Sequence, residues 1–246
     1  MHRYRLYVPP EKIAQETAQL DGDEFHHCIN VLRRTKGTVA VFDGVSHEWE
    51  ATIARVEKHR ALLDLRKLVR EATKPAVQVI ACPALTKGKS FDATVENATE
   101  LGAHVIAPVI AERSAAHFRQ SQNETRLARW GRIAIAAAKQ CGRIALPEIK
   151  PPTLLNELLP TLAGATKVIC AAGAHAEPLW NVLEKTGAGA SAIAVLVGPE
   201  ADFAPEEVAA AVEAGAHAAL LGPITLRSGT AAAYALAVVS AYATSR

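Results

Sequence analysis

From residue 76 onward, short apolar runs alternate with stretches of helical period, and that alternation leaves few folds open. Residues 77–82, 105–109, 167–172, 192–197 and 218–221 are almost wholly apolar and only four to six residues long. Runs of this length without polar alternation predict strands buried on both faces. Helical segments lie between them. Ser90 is placed to cap a helix that carries Phe91, Val95, Ala98 and Leu101 on one face, with Gly102 at its stop. Asn123 is placed to cap a longer helix that runs to Cys141, with Gly142 after it. Strands and helices in turn predict an α/β domain with a mainly parallel sheet covered on both sides.

The first seventy residues follow another rule. Residues 38–43 lead through Asp43-Gly44 into residues 47–56, the pattern of a tight hairpin, and 61–68 is a further strand candidate. A short helix is expected from a cap at Asp23 through Phe25, Cys28, Val31 and Leu32. These pieces predict a small β-barrel, with the boundary in residues 71–75 (EATKP). The expected domains are 1–72 and 73–246.

Charge is divided unevenly. The chain has 27 Lys and Arg against 25 Asp and Glu, a net charge of +2. Residues 1–74 carry +2, residues 75–150 carry +4 and residues 151–246 carry −4. A basic front and an acidic back suit a polyanion held by one part and different chemistry in the other. The four cysteines (Cys28, Cys82, Cys141, Cys170) form no C-x-x-C pair, so they are expected to be reduced core residues, and no metal is expected. The opening MHRYRLYVPP lacks the apolar core of a signal peptide, which predicts a soluble cytoplasmic protein.

Three features carry chemistry. On the helix from Asn123, Arg129, Arg132, Lys139 and Arg143 have offsets of 3, 10 and 14, which at about 100° per residue places them in one stripe. Four cations on one face repel each other unless an anion or an acid faces them. Two loops end buried strands with Gly-Pro: VLVGPE at 195–200 and LLGPITLRS at 220–228. Open backbone at the carboxyl edge of neighbouring parallel strands is where α/β sheets bind ligands. Between them, Phe203 and Val208 have the spacing of a hydrophobic staple, Pro205 suits a first helical position and Gly215 a stop. Ala204 stands where a capping hydroxyl would be expected, an omission of about 1 kcal/mol. The last helix, after Ser228, is apolar nearly all round and is expected to be buried in the core or against another subunit. GAGASA at 187–192 precedes a strand instead of following one, so it is not read as a dinucleotide fingerprint.

In order and spacing, several segments resemble the ribosomal RNA small subunit methyltransferase E family of the SPOUT superfamily. They are His27 with Val31-Leu32-Arg33, Lys87-Gly88, ATELGAHVIAPVIAERS at 98–114, and Arg129-Trp130. They continue with AAAKQCGRIALPEI at 136–149, VGPE at 197–200 and GPITLRSGTAA at 222–232. The resemblance spans essentially the whole chain. It implies a PUA-like, OB-like β-barrel followed by a SPOUT-type α/β domain with a trefoil knot, acting as a homodimer. The implied activity is methylation of N3 of a uridine in small-subunit (16S) ribosomal RNA, with S-adenosylmethionine as cofactor. The implied cofactor residues are Ala171, Ala172, Val197, Gly198, Pro199, Glu200, Leu221, Gly222, Ile224 and Leu226. Arg227 is expected to hold a uracil carbonyl as the base loses its N3 proton, and Ser228 to orient the base. RNA is expected on Arg3, His27, Arg33, Arg34, Lys87, Lys89, Arg113, Arg129, Arg132, Lys139 and Arg143.

The sequence departs from the family pattern twice. Ala201-Asp202 stands where the family has a glycine pair, and Gly229 where it has a glutamate. These leave two rivals open: a related knotted enzyme acting on a ribose 2′-hydroxyl or another base, and an RNA-binding or assembly module without catalysis.

Overall fold

A computed structural model describes residues 4–86, 90–115, 120–171 and 176–245, of which Ala115 and Gln120 are described by backbone alone. The chain divides into two units. Residues 1–74 group with 138–146, and residues 75–137 group with 147–246.

The first unit is a six-stranded sheet around one core. Its strands are β1 (Arg5–Tyr7), β2 (Ile13–Ala14), β3 (Thr17–Asp21), β4 (Thr38–Phe42), β5 (His47–Val56) and β6 (Arg60–Glu71). They lie in the order β1-β4-β5-β6-β3-β2, and only the β1–β4 pair is parallel. Three register shifts between β5 and β6 bend the longest pair, the usual route to a strongly curved sheet. Leu6, Leu20, Val41, Ala51 and Leu63 are among the side chains that fill the inside. The hairpin at Asp43-Gly44 is held by the Asp43 carboxylate, which accepts from the backbone N–H of Val45, Ser46 and His47. Burial alone would raise this carboxyl, but the three N–H groups and the His47 imidazole outweigh it and hold it below the usual carboxylate range. Gly44 has φ +77° and a Cβ there would meet the Tyr7 ring at 2.7 Å, so both conformation and space require glycine.

The short helix begins earlier than Asp23. α1 (Gly22–Phe25) starts at Gly22, whose φ of +56° lets the chain turn off β3, and runs on as a π-helical turn over His26–Val31. Asp21, its cap by position, makes no side-chain cap; its carboxylate holds Lys12 at 2.5 Å and Gln19 at 3.0 Å instead.

The second unit is the parallel domain. Its strands are β7 (Gln78–Pro83), β8 (Val105–Ile106), β9 (Val109–Ile110), β10 (Glu148–Ile149), β11 (Thr153–Leu154), β12 (Thr166–Cys170), β13 (Glu177–Pro178), β14 (Ala192–Val197) and β15 (Ala216–Leu220). Seven form one sheet in the order β10-β8-β7-β14-β12-β15-β13, with every pair parallel. β9 and β11 pair separately. The expected single strand at 105–109 is therefore two short ones. Pro108 has no N–H to give to a ladder, and the chain changes sheets there.

Helices cover both faces. α2 (Ser90–Glu100), α3 (Glu112–Ala115), α4 (Asn123–Cys141), α5 (Leu155–Thr161), α6 (Leu179–Thr186), α7 (Pro205–Glu213) and α8 (Ser228–Thr244) follow in chain order. On β14, Ile193, Val195 and Val197 face a core shared with α2, α4, α6 and α8, whereas Ala194 and Leu196 face a second core with α5 and α7. Leu196 is fully buried in the middle strand of the sheet. Leu196→Ala should cost about 3 kcal/mol, since truncated core leucines lose both transfer energy and packing. Urea unfolding would read this, and a change under about 1 kcal/mol would contradict the described core.

One expectation needs correction, and another is met only in part within one chain. Cys28, Cys82 and Cys170 are buried free thiols, but Cys141 is exposed, because it ends α4 beyond that helix's buried stretch. α8 is not covered all round within the chain: Tyr234, Ala237 and Ala241 form an exposed face opposite Ala232, Ala235, Leu236 and Val239. No helix of the described residues is long and apolar enough to cross a membrane.

Candidate active site

Parallel strands leave their last carbonyls and the following loops at one edge of the sheet. β14, β12 and β15 are neighbours, so Ala171 and the segments after Val197 and Leu220 meet there. They enclose a cleft of about 380 Å³, within the range of small-molecule sites. Ala171, Val197, Gly198, Pro199, Glu200, Leu221, Gly222, Ile224 and Leu226 all line it. So do Cys170, Ala219, Leu220, Pro223, Thr225 and Ala231, which were not among the expected cofactor residues, together with Ser228, expected to act on the base, and Asp202, noted from the sequence as a departure from the family's glycine pair. They fall between or beside the two Gly-Pro loops, and strand register alone would have added Cys170 and Ala219.

Each wall has a local cause. Gly198 is needed because a Cβ would approach Asp202 Oδ1 to 2.9 Å and the Phe203 backbone nitrogen to 3.0 Å. The loop is a tight turn, with Asp202 N–H bonded to the Pro199 carbonyl at 2.9 Å. Phe203 is buried and anchors its far end. Glu207 repairs the missing hydroxyl cap of α7: one carboxylate oxygen accepts from Ala204 N–H and the other from Glu112 N–H, each at 2.9 Å. The Arg113 guanidinium donates to the Ala201 carbonyl. Arg113 therefore braces this loop from outside. Ser228 is buried, and its hydroxyl donates to the Gly198 carbonyl at 3.0 Å, which ties the β14 loop to the start of α8.

The cleft's charge has one sign. Glu200 and Asp202 are its ionisable acids, and no Lys or Arg lines it among the described residues. Cys170 also lines it, but its thiol is pushed up to about 12, by burial first and the Asp202 charge second, so it is no nucleophile at neutral pH. Arg227 lies just outside the lining. It is exposed, makes no ion pair among the described residues, and its carbonyl accepts from Ala231 N–H at 2.8 Å in the first turn of α8. It is not paired with Glu200.

The remaining sequence candidates are placed as follows. Arg3, Lys87, Lys89 and Ala172 lie outside the described residues. His27, Arg33 and Arg34 are exposed in the first unit, where the Tyr4 ring stacks 6.2 Å from His27 and lies 5.4 Å from the Arg34 guanidinium. The expected stripe is only partly an open cationic face, and Arg143 lies beyond the end of α4 at Cys141. Arg129 pairs with Asp92, and Lys139 with Glu24 at 2.6 Å. Arg143 is half-buried, its Nε donating to the Ala145 carbonyl at 2.5 Å, while Arg132 is exposed. Acids thus face at least two of the four cations.

Residues 73–240 match the RNA methyltransferase domain family, and residues 20–66 match the RNA methyltransferase PUA domain. That defines the class. The ribosomal RNA small subunit methyltransferase E of Synechocystis sp. is 32% identical over 241 residues, covering 97% of this chain and 77% of that protein. The enzyme of the same name from Mycobacterium bovis is also 32% identical, covering 95% of this chain and 90% of its own. Among solved structures, a Legionella pneumophila methyltransferase in complex with bound SAM is 26% identical, with a TM-score of 0.87 and 98% of each chain covered. The Neisseria gonorrhoeae ribosomal RNA small subunit methyltransferase E bound to S-adenosyl methionine is 29% identical, with a TM-score of 0.82 and again 98% of each chain covered. This chain belongs to the ribosomal RNA small subunit methyltransferase E family. The fold class expected from the sequence, a SPOUT-type parallel-sheet domain preceded by a PUA-like domain, is borne out by these neighbours.

Proposed function

We propose that the chain transfers a methyl group from S-adenosylmethionine to N3 of a uridine in small-subunit ribosomal RNA. The observation that carries this reading is the cleft at the ends of β14, β12 and β15. Its residues suit the cofactor: Gly198, without a side chain, lets backbone form the wall, Leu221, Ile224 and Leu226 offer apolar surface to an adenine, and the carboxylates suit a cation. The cofactor supplies an already electrophilic methyl, so the difficulty lies in the nucleophile.

Uracil N3 attacks only after losing its proton, and the resulting anion spreads onto the ring carbonyls. Arg227, exposed beside the cleft and unpaired among the described residues, is the cation that meets that charge. Its guanidinium stays ionised and can grip a carbonyl through a planar fork. Ser228, whose hydroxyl is committed to Gly198, acts as a positioning residue that fixes the loop against α8. Holding base and methyl in line supplies much of the remaining rate.

RNA binding is assigned to the first unit's exposed cluster. Tyr4, His27 and Arg34 form a stacked group, Val31 and Leu32 are exposed beside them at 55% and 41%, and Arg33 makes no ion pair among the described residues. Aromatic faces with flanking cations suit an unpaired stretch of RNA. Arg33→Ala with Arg34→Ala should lower RNA affinity and flatten the slope of log affinity against log salt by about two. Fluorescence anisotropy over a salt series reads it, and an unchanged slope would contradict this placement.

The exposed face of α8 supports the expected homodimer, and the trefoil knot belongs to the same reading. A ribosomal RNA substrate supports the expected cytoplasmic location. Calorimetric titration with S-adenosylmethionine tests the cofactor: one site per chain is expected, and no detectable binding would overturn the proposal.

A further inference from the structure

Asp202 is one of three non-glycine residues with positive φ among the described residues, at +63°. Such a conformation costs a non-glycine residue free energy and calls for a compensating reason. Part of the reason is local. Oδ1 accepts from the Phe203 N–H at 2.8 Å, a short-range bond that Asp and Asn can make. The other oxygen, Oδ2, has no hydrogen bond or ion pair among the described residues, and the residue lines the cleft. Its charge reaches across to Cys170 on the neighbouring strand. With Glu200 it makes the described lining negative, with no lining cation among the described residues to balance it.

We infer that Asp202 sets the ligand preference of the cleft, favouring the positively charged methyl donor over the spent product. This rests on the proposed use of S-adenosylmethionine. The donor carries a fixed sulfonium charge. When the S–CH₃ bond breaks, sulfur keeps the electron pair and becomes a neutral sulfide, so S-adenosylhomocysteine has one positive charge fewer. A carboxylate with no ion-pair partner among the described residues attracts the first and is nearly indifferent to that atom of the second. Product therefore leaves an environment that no longer holds it, and fresh donor enters one that does.

The test is calorimetric titration of the full chain with S-adenosylmethionine and, separately, S-adenosylhomocysteine. Asp202→Asn keeps the Oδ1 acceptor and tolerates the backbone conformation, so it removes charge alone. The expected result is a fall of about three- to tenfold in donor-over-product preference, entirely from weaker donor binding, with product affinity held within about twofold. Raising salt should shrink the wild-type preference and leave that of the variant nearly constant. Asp202→Gly, which relieves the backbone, should show the same loss of preference. An unchanged preference, or equal weakening toward both ligands, would overturn the inference and leave Asp202 a turn residue. A wild-type chain that binds neither ligand would instead overturn the methyltransferase reading, and this inference with it.

Discussion

Arg227→Ala should lower single-turnover methyl transfer by about a hundredfold or more, while cofactor affinity changes less than about threefold. The size follows from what one preorganised donor to a developing oxyanion contributes in other enzymes, about 10²–10³ in rate. The separation of the two effects follows from geometry. Arg227 is exposed and outside the cofactor cleft's lining, so its removal strips no wall from the pocket. Its backbone carbonyl, which accepts from Ala231 N–H at the start of α8, survives the substitution. Arg227→Lys should recover only part of the rate, because an ammonium keeps the charge but loses the fork. Equal loss of rate and cofactor affinity would make Arg227 a structural residue.

Gly198→Ala should have the opposite signature, with cofactor affinity reduced by tenfold or more and the fold intact. The new methyl group would sit 2.9 Å from Asp202 Oδ1 and 3.0 Å from the Phe203 nitrogen. The carboxylate could swing away, but the Phe203 backbone is held by a buried ring and by the cap of α7. The loop itself must therefore move, and with it the Gly198 carbonyl that Ser228 holds. The strain is confined to a loop between secondary elements, so thermal unfolding should shift by only a few degrees. Titration and circular dichroism together separate the outcomes. Unchanged cofactor affinity would show that this loop does not form the ligand's wall.

The sequence reveals some levels of this structure more clearly than others. β14 coincides with the expected run at 192–197, and α4 with the expected helix from Asn123 to Cys141. Continuous apolar runs and capped periodic helices are strong local signals, and the parallel sheet follows from them. Strands of two residues, such as β10, β11 and β13, are held by neighbours far along the chain and leave almost no pattern of their own. The cleft was legible through its two Gly-Pro loops, because open backbone at strand ends has a compositional mark. Asp202's unused carboxylate oxygen was not, since it depends on a positive φ that sequence alone rarely reveals for a non-glycine residue. Charge on helix α4 misleads in the other direction. Arg129 and Lys139 look free by helical spacing, yet Asp92 and Glu24, distant in sequence, face them.

The proposed reaction carries a methyl group from the cleft to a uridine ring nitrogen. Its most direct test is to incubate the chain with methyl-labelled S-adenosylmethionine and small-subunit ribosomal RNA, free or in particles, then digest to nucleosides for mass spectrometry. Label is expected in N3-methyluridine, and its loss with Arg227→Ala. Label on a ribose 2′-hydroxyl or on another base, or no label despite cofactor binding, would contradict it.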